Sequence, residues 1–281
     1  MATISASMVK ELRTVTGAAM MDCKKALTES DGDLTAAQEL LRKKGQATAV
    51  KKSGRETKEG AISIQNADQK VSLIKVACET DFVAINQLFK DFIDQIAQQA
   101  NEVGADGLME KTTTKGPIKE QFVEAIAKMG ENMAIVDGIT WDINDNSAIG
   151  HYTHSNRKIG VLVELQGNKN GREEKIQSFA KDVAMHIAAS NVEAISEKDL
   201  DPEYIEKERK FLIDQAADSG KPANIIEKMV EGRLKKFKKE ICLLNQNFIK
   251  DPDITISQFL ENASKEVGTD LKVERIYKSQ F

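Results

Sequence analysis

Ala77-Cys78-Glu79-Thr80-Asp81-Phe82-Val83-Ala84 decides how the rest of the chain is read. An alternating apolar run through Val71, Leu73, Ile74 and Val76 enters this stretch as a strand. A helical pattern leaves it, with Ile85, Phe89, Phe92, Ile93, Ile96, Ala97 and Ala100 expected to form one buried stripe. An acid and an aromatic ring therefore stand together at a strand-to-helix corner. The first amides of a helix lack intrahelical partners there, and negative charge is favoured. Such corners often present side chains to partners. Spacing alone argues otherwise for the ring, because Phe82 precedes Phe89 by seven residues and so falls in phase with the stripe. On that ground Phe82 reads as core and Asp81 as an ordinary first-turn acid.

Upstream of the corner, Ile62 and Ile64 alternate and are separated from the next strand by the polar turn Asn66-Ala67-Asp68-Gln69, which predicts a hairpin. Downstream, a looser segment reaches Gly116-Pro117, a helix carries Phe122, Ile126 and Met129, and a strand runs from Asn132 to Trp141. The same order then recurs. Ile149, Tyr152 and Ile159 to Leu165 predict a second hairpin about Ser155-Asn156-Arg157-Lys158, followed by a helix with Phe179, Val183, Ile187 and Ala188. Gln258-Phe259-Leu260-Glu261 echoes Gln121-Phe122-Val123-Glu124, and Gly268, Leu271 and Val273 repeat the spacing of Gly130, Met133 and Ile135, with Ile276 one residue nearer its glycine than Ile139. Both halves read strand, strand, helix, helix, strand.

Between the two helices of the second copy lies an insertion. Pro202 and Pro222 each mark a helix start, and Ser219-Gly220-Lys221 makes the turn between the helices. Tyr204, Ile205, Phe211 and Leu212 form the apolar pattern of the first arm, and Ile226, Met229, Val230 and Phe237 that of the second. At a rise of about 1.5 Å per residue each arm is roughly 25 Å long.

The first sixty residues differ in character. Met8, Leu12 and Val15 mark one short helix, Met20, Met21, Cys23 and Leu27 a second, and Ala37, Leu40 and Leu41 a third. Gly17 closes the first, and Gly45 reads as the end of the third. Residues 1–58 hold 11 basic and 7 acidic residues, a net of +4, which leaves −8 for the remainder of a chain whose total is −4. A positive N-terminal module on a negative body suits a partner with an acidic patch.

The fold class is therefore α+β, with boundaries expected at 1–46 for a three-helix module, 47–59 for a linker and 60–143 for the first core repeat. The second repeat occupies 144–192 and 241–281, with the helical hairpin at 193–240. At 281 residues, 41% hydrophobic and 30% charged, the chain can bury a substantial core. Its net charge gives no general attraction to nucleic acid or to an anionic membrane. No run approaches the roughly 18 apolar residues of a membrane span. The N-terminus has neither a signal-peptide nor a transit-peptide layout, which predicts a cytoplasmic protein of a bacterium. Cys23, Cys78 and Cys242 are odd in number and far apart, so they read as reduced thiols.

Met8-Val9-Lys10-Glu11-Leu12-Arg13 and Thr16-Gly17-Ala18-Ala19-Met20-Met21-Asp22-Cys23-Lys24-Lys25-Ala26-Leu27 closely resemble the N-terminal signature of the bacterial elongation factor Ts family. The corner resembles that family's Thr-Asp-Phe-Val-Ala signature, and the resemblance covers nearly the whole chain. It implies guanine-nucleotide exchange on elongation factor Tu, binding its GDP-bound and nucleotide-free forms. GDP would leave because the magnesium and phosphate surroundings are perturbed, without covalent chemistry, catalytic residue, cofactor or metal. It implies an N-terminal module folded like a ubiquitin-associated domain, docking on the nucleotide-binding domain of elongation factor Tu through Lys10, Arg13, Met20, Met21 and Lys24. Carried over by position, Thr80, Asp81, Phe82 and Val83, then Met129 and Gly130, then His154 form the remaining contacts. The hairpin at 193–240 becomes a coiled coil of the dimerising type, so self-association there is expected. Direct contact with nucleic acid or membrane is not.

One departure stands out, since Ile85 occupies a position where relatives usually carry a basic residue. His151 and His154 are three apart on a strand and point to opposite faces, which weakens a metal reading. His186 matches a family string but reads as packed or capping. No phosphate loop, Gly-x-Gly-x-x-Gly, nucleophile elbow or histidine-glutamate zinc motif is present. The competing readings are an adaptor that binds through its N-terminal module alone and an enzyme of unfamiliar type. The second repeat favours contact over core packing for the corner. Where the first has Thr80-Asp81-Phe82, the second has Asn168-Lys169-Asn170, so packing common to both halves does not require the acid or the ring.

Overall fold

Ser5, itself extended, accepts the Met8 N–H on its hydroxyl, and the chain enters α1, Ala6–Thr16. This is a computed structural model, and it describes residues 3–67, 69–167, 171–217 and 222–281. Asp68 of the first hairpin turn, Asn168-Lys169-Asn170 and Ser219-Gly220-Lys221 lie outside the described residues. The chain divides into one unit of Met1–Asp142, Thr153–Ile159 and Ser279–Phe281, and another of Ile143–Tyr152 and Gly160–Lys278.

In the first unit, α1 is followed by α2, Met20–Glu29, and α3, Leu34–Lys52. Val9, Leu12, Cys23, Ala26, Leu27 and Ala37 fill the core they share. Val15, part of the apolar pattern of the first helix, is exposed, as are Met20 and Met21, which the family resemblance places among the contacts. Gly45 does not end the third helix. It lies inside α3 where a later helix, α6 (Ile118–Met129), crosses, and a Cβ there would meet the Ala127 Cβ at 3.3 Å. The segment read as a linker from residue 47 thus begins as helix, and Ala49 belongs to the core of the sheet layer.

That layer is a sheet in the order β1 (Glu59–Ala67), β2 (Lys70–Cys78), β5 (Met133–Asp142), with both pairings antiparallel. Ile74, Val76 and Cys78 of β2 pack with Phe89, Ile93 and Ile96 of α5 (Gln87–Val103) and with Ile118 and Phe122 of α6. Phe92 and Phe122 meet edge to face at 5.0 Å between ring centroids. The looser segment before α6 holds two two-residue strands, β3 (Thr112–Thr113) and β4 (Gly116–Pro117).

The second unit has the same element order. Its sheet runs β10 (Lys272–Gln280), β7 (Ile159–Gln166), β6 (Ser147–Thr153), so the second strand of each hairpin is central in both sheets. Helices α7 (Glu173–Ala189) and α10 (Ile256–Val267) supply buried Ile176, Val183, Ile187, Leu260 and Val267. Gly150 lets β6 touch α7, since a Cβ there would lie 2.1 Å from the Ala180 carbonyl carbon. Between α7 and α10 come α8 (Pro202–Ala217), α9 (Ala223–Ile241) and the short strands β8 (Asn247–Phe248) and β9 (Asp251–Thr255). Leu212, Ala216, Val230 and Leu234 form the seam of α8 and α9. Phe211 is exposed, and Tyr204, also exposed, holds its ring 6.0 Å from that of Phe237 on α9.

Candidate docking site

Thr80 leaves β2 in an extended conformation, φ −126° and ψ 156°, and caps the five-residue helix α4, Asp81–Ile85. Asn86, at φ −65° and ψ 136°, then stops α4 and caps α5, its Oδ1 accepting the Leu88 N–H at 2.9 Å. The helical pattern is therefore two helices. A phase argument holds only along an unbroken helix, and the extended residue resets it. Phe89 is buried while Phe82 is 77% exposed, and Ile85, expected in the buried stripe, is 66% exposed. With Leu88 at 48%, three large apolar side chains stand in water within seven residues. Asp81 beside them is exposed, whereas Val83 and Ala84 turn inward to the core.

The corner is locked to the turn between α6 and β5. Gly130 ends α6 in the left-handed region at φ 80°, which a side chain would strain. The next residue, Glu131, accepts the Thr80 N–H at 2.9 Å on one carboxylate oxygen and the Thr80 hydroxyl at 2.5 Å on the other. In return Glu79 accepts the Asn132 N–H at 2.6 Å. That bond, with the Arg55 guanidinium at 3.3 Å, holds the Glu79 carboxyl below its usual range. Asn132 donates to the Ser53 and Arg55 carbonyls, and the Lys52 ammonium donates to the Gly130 carbonyl, so the end of α3 joins the same turn. Burial, then the Glu131 carboxylate, push the Cys78 thiol up to about 12, and its Sγ–H donates to the Thr80 carbonyl at 3.2 Å. Cys78 is an inert packing residue at neutral pH.

Thr80, Asp81, Phe82 and Val83 are thus brought together with half-buried Met129 and exposed Gly130. His154 is exposed on the turn after β6, with its N–H on the Ile159 carbonyl at 2.9 Å. The turn is fastened by Arg157, whose guanidinium grips Asp94 at 2.7 and 3.0 Å, and by Lys158, 2.6 Å from Glu59. Glu59 pairs with Cys78 across β1 and β2, so this turn is tied to the strands that feed the corner. Lys10, Arg13, Met20, Met21 and Lys24 are all exposed on α1 and α2. At Gly17, which ends α1, the Lys128 side chain of α6 lies close by. His186 is buried, as expected from the sequence.

Glu131 and Asn86 escaped the reading of the sequence as residues with roles. Asn86 was detectable, because asparagine is a favoured cap and an unfavoured interior residue of a helix. Glu131 was not, since its partner lies 51 residues away. Among the described residues no group of three His, Cys, Asp or Glu side chains is arranged to hold a metal, and no helix is long and apolar enough to cross a membrane.

A family profile described as Elongation factor TS matches residues 79–277. The chain is 48% identical over 277 residues to Elongation factor Ts of Hydrogenovibrio crunogenus, covering 96% of this chain and 91% of that relative. It is 44% identical to the protein of the same name from Clostridioides difficile (99% and 92% covered) and 42% identical to that from Clostridium botulinum (98% and 92%). These matches place the chain among the translation elongation factors, which serve protein biosynthesis. It belongs to the elongation factor Ts family.

Proposed function

We propose that the chain is a guanine-nucleotide exchange factor that docks on elongation factor Tu and releases its GDP. The observation that carries this reading is the exposure of Phe82 on a corner held from both sides, an arrangement that core packing does not explain. Asp81 and Phe82 enter the partner, with Leu88 at the rim beside Ile85, which stands in place of the usual basic residue. Met129, Gly130 and His154 widen the contact. The three-helix module, a ubiquitin-associated-like fold, holds the nucleotide-binding domain through Lys10, Arg13, Met20, Met21 and Lys24. Contact disturbs the magnesium and phosphate surroundings of GDP, and both the GDP-bound and nucleotide-free partner are bound.

No covalent bond is made or broken in this scheme, and no cofactor enters. Burying one Phe gives about 1.5 to 3 kcal/mol, or one to two decades in affinity, so Phe82 needs the other contacts to displace a tightly held nucleotide. The helices of 193–240 act as a coiled coil through which two copies associate, and the protein works in the cytoplasm. Mixing the chain with elongation factor Tu loaded with a fluorescent GDP tests the reading. Release accelerates by orders of magnitude over the spontaneous rate; an unchanged rate overturns it. Residues 1–58 alone reproducing all the binding would instead support the adaptor.

A further inference from the structure

We propose that Glu131 is the positioning residue of the docking corner, acting through Thr80 to hold Asp81 and Phe82 in the geometry the partner meets. The proposal rests on the exchange-factor reading above and names a residue outside the proposed contacts. Three observations carry it. First, the Glu131 carboxylate takes both donors of Thr80, the N–H at 2.9 Å and the hydroxyl at 2.5 Å. Those are the donors that fix where the chain leaves β2, and bonds to a carboxylate are the stronger class. Second, the bond is reciprocated one residue away, Glu79 accepting the Asn132 N–H at 2.6 Å. Each glutamate holds the amide that follows the other, so the two segments are registered against one another rather than merely in contact.

Third, the helix that bears Phe82 is short and rests on β1 and β2 through few side chains. α4 is five residues long, too short to be stable by its own hydrogen bonds, and Asn86 uncouples it from α5. Its inward anchors are Ala84 and half-buried Val83. An exposed ring on such a helix is ordered chiefly from its N-terminal end, where Thr80 also accepts the Val83 N–H. Ordering it before contact removes a cost that binding would otherwise bear. Glu131 therefore acts on the partner without touching it.

Glu131→Ala, Glu131→Gln and Thr80→Val are each made in the full chain, alone and with Phe82→Ala, and GDP release from elongation factor Tu is followed together with amide exchange at Val83 and Ala84. Glu131→Ala slows release about tenfold in the otherwise unaltered chain, the scale expected for losing charged hydrogen bonds, and less than about twofold once Phe82 is gone. Glu131→Gln, which keeps one acceptor, falls between. Val83 and Ala84 lose exchange protection while the urea midpoint of the whole chain moves little. Equal slowing in both backgrounds, or no slowing in either, overturns the proposal. Where Glu131→Ala fails to fold, Thr80→Val decides by the same comparison. Where the unaltered chain releases no GDP, the exchange-factor reading falls, and unaltered protection of Val83 and Ala84 in Glu131→Ala overturns the clamp separately.

Discussion

His186 on α7 is buried with Nδ1 accepting the Ile249 N–H at 3.2 Å and Nε2 2.8 Å from Gln246 Oε1. An acceptor at Nδ1 requires the neutral ring with its proton on Nε2. Burial, partly offset by Gln246, lowers its pKa, and His151 on β6 is lowered by burial and by Lys181. Both therefore bind protons less readily folded than unfolded, so stability is full above the ordinary histidine value of about 6.5 and declines as pH falls below it. The urea midpoint should drop between about pH 7.5 and 5.5, and His186→Gln should flatten part of that slope. At Phe82 burial has no such hold. The ring is already in water, so Phe82→Ala should leave the stability measured in urea within about 0.5 kcal/mol of the unaltered chain, whereas a core Phe truncated to Ala costs about 3 to 5 kcal/mol.

Helix and strand order was largely legible because periodicity records burial, and both hairpins, the helix pairs and the closing strands follow the expected sequence of elements. What escaped was set by single residues against the pattern. Asn86 splits a helix that the apolar spacing joins, and Gly45 continues a helix that glycine usually ends, because Ala127 crosses above it. The contacts with Glu131 and Arg157 are long-range and leave no local trace. The exposed pair Asp81 and Phe82 was legible only through resemblance and through the unlike segment of the second repeat. Two substitutions test these element-level assignments by urea denaturation. Asn86→Ala should cost about 1 kcal/mol, the usual value of a lost cap. Gly150→Ala should cost about 1 to 3 kcal/mol or more, because its Cβ would meet the backbone of α7 at Ala180 and Lys181.

For the molecule as a whole, the proposed exchange is a matter of coupled affinities. In that scheme whatever free energy weakens GDP on elongation factor Tu must weaken this chain by the same factor when GDP binds. Titration of the complex with GDP should therefore drive the chain off, and the factor should equal that by which the chain lowers GDP affinity. In the first repeat the corner leaves Asp81 and Phe82 exposed, and Glu79 and Glu131 join the two segments that carry it. The most direct test follows fluorescent GDP leaving elongation factor Tu by stopped flow with unaltered chain and with Phe82→Ala, each also melted in urea. The account predicts at least about a tenfold slower release by Phe82→Ala, the cost of one buried ring, with an unchanged melt. Normal release with a weakened melt would contradict it and return Phe82 to the core.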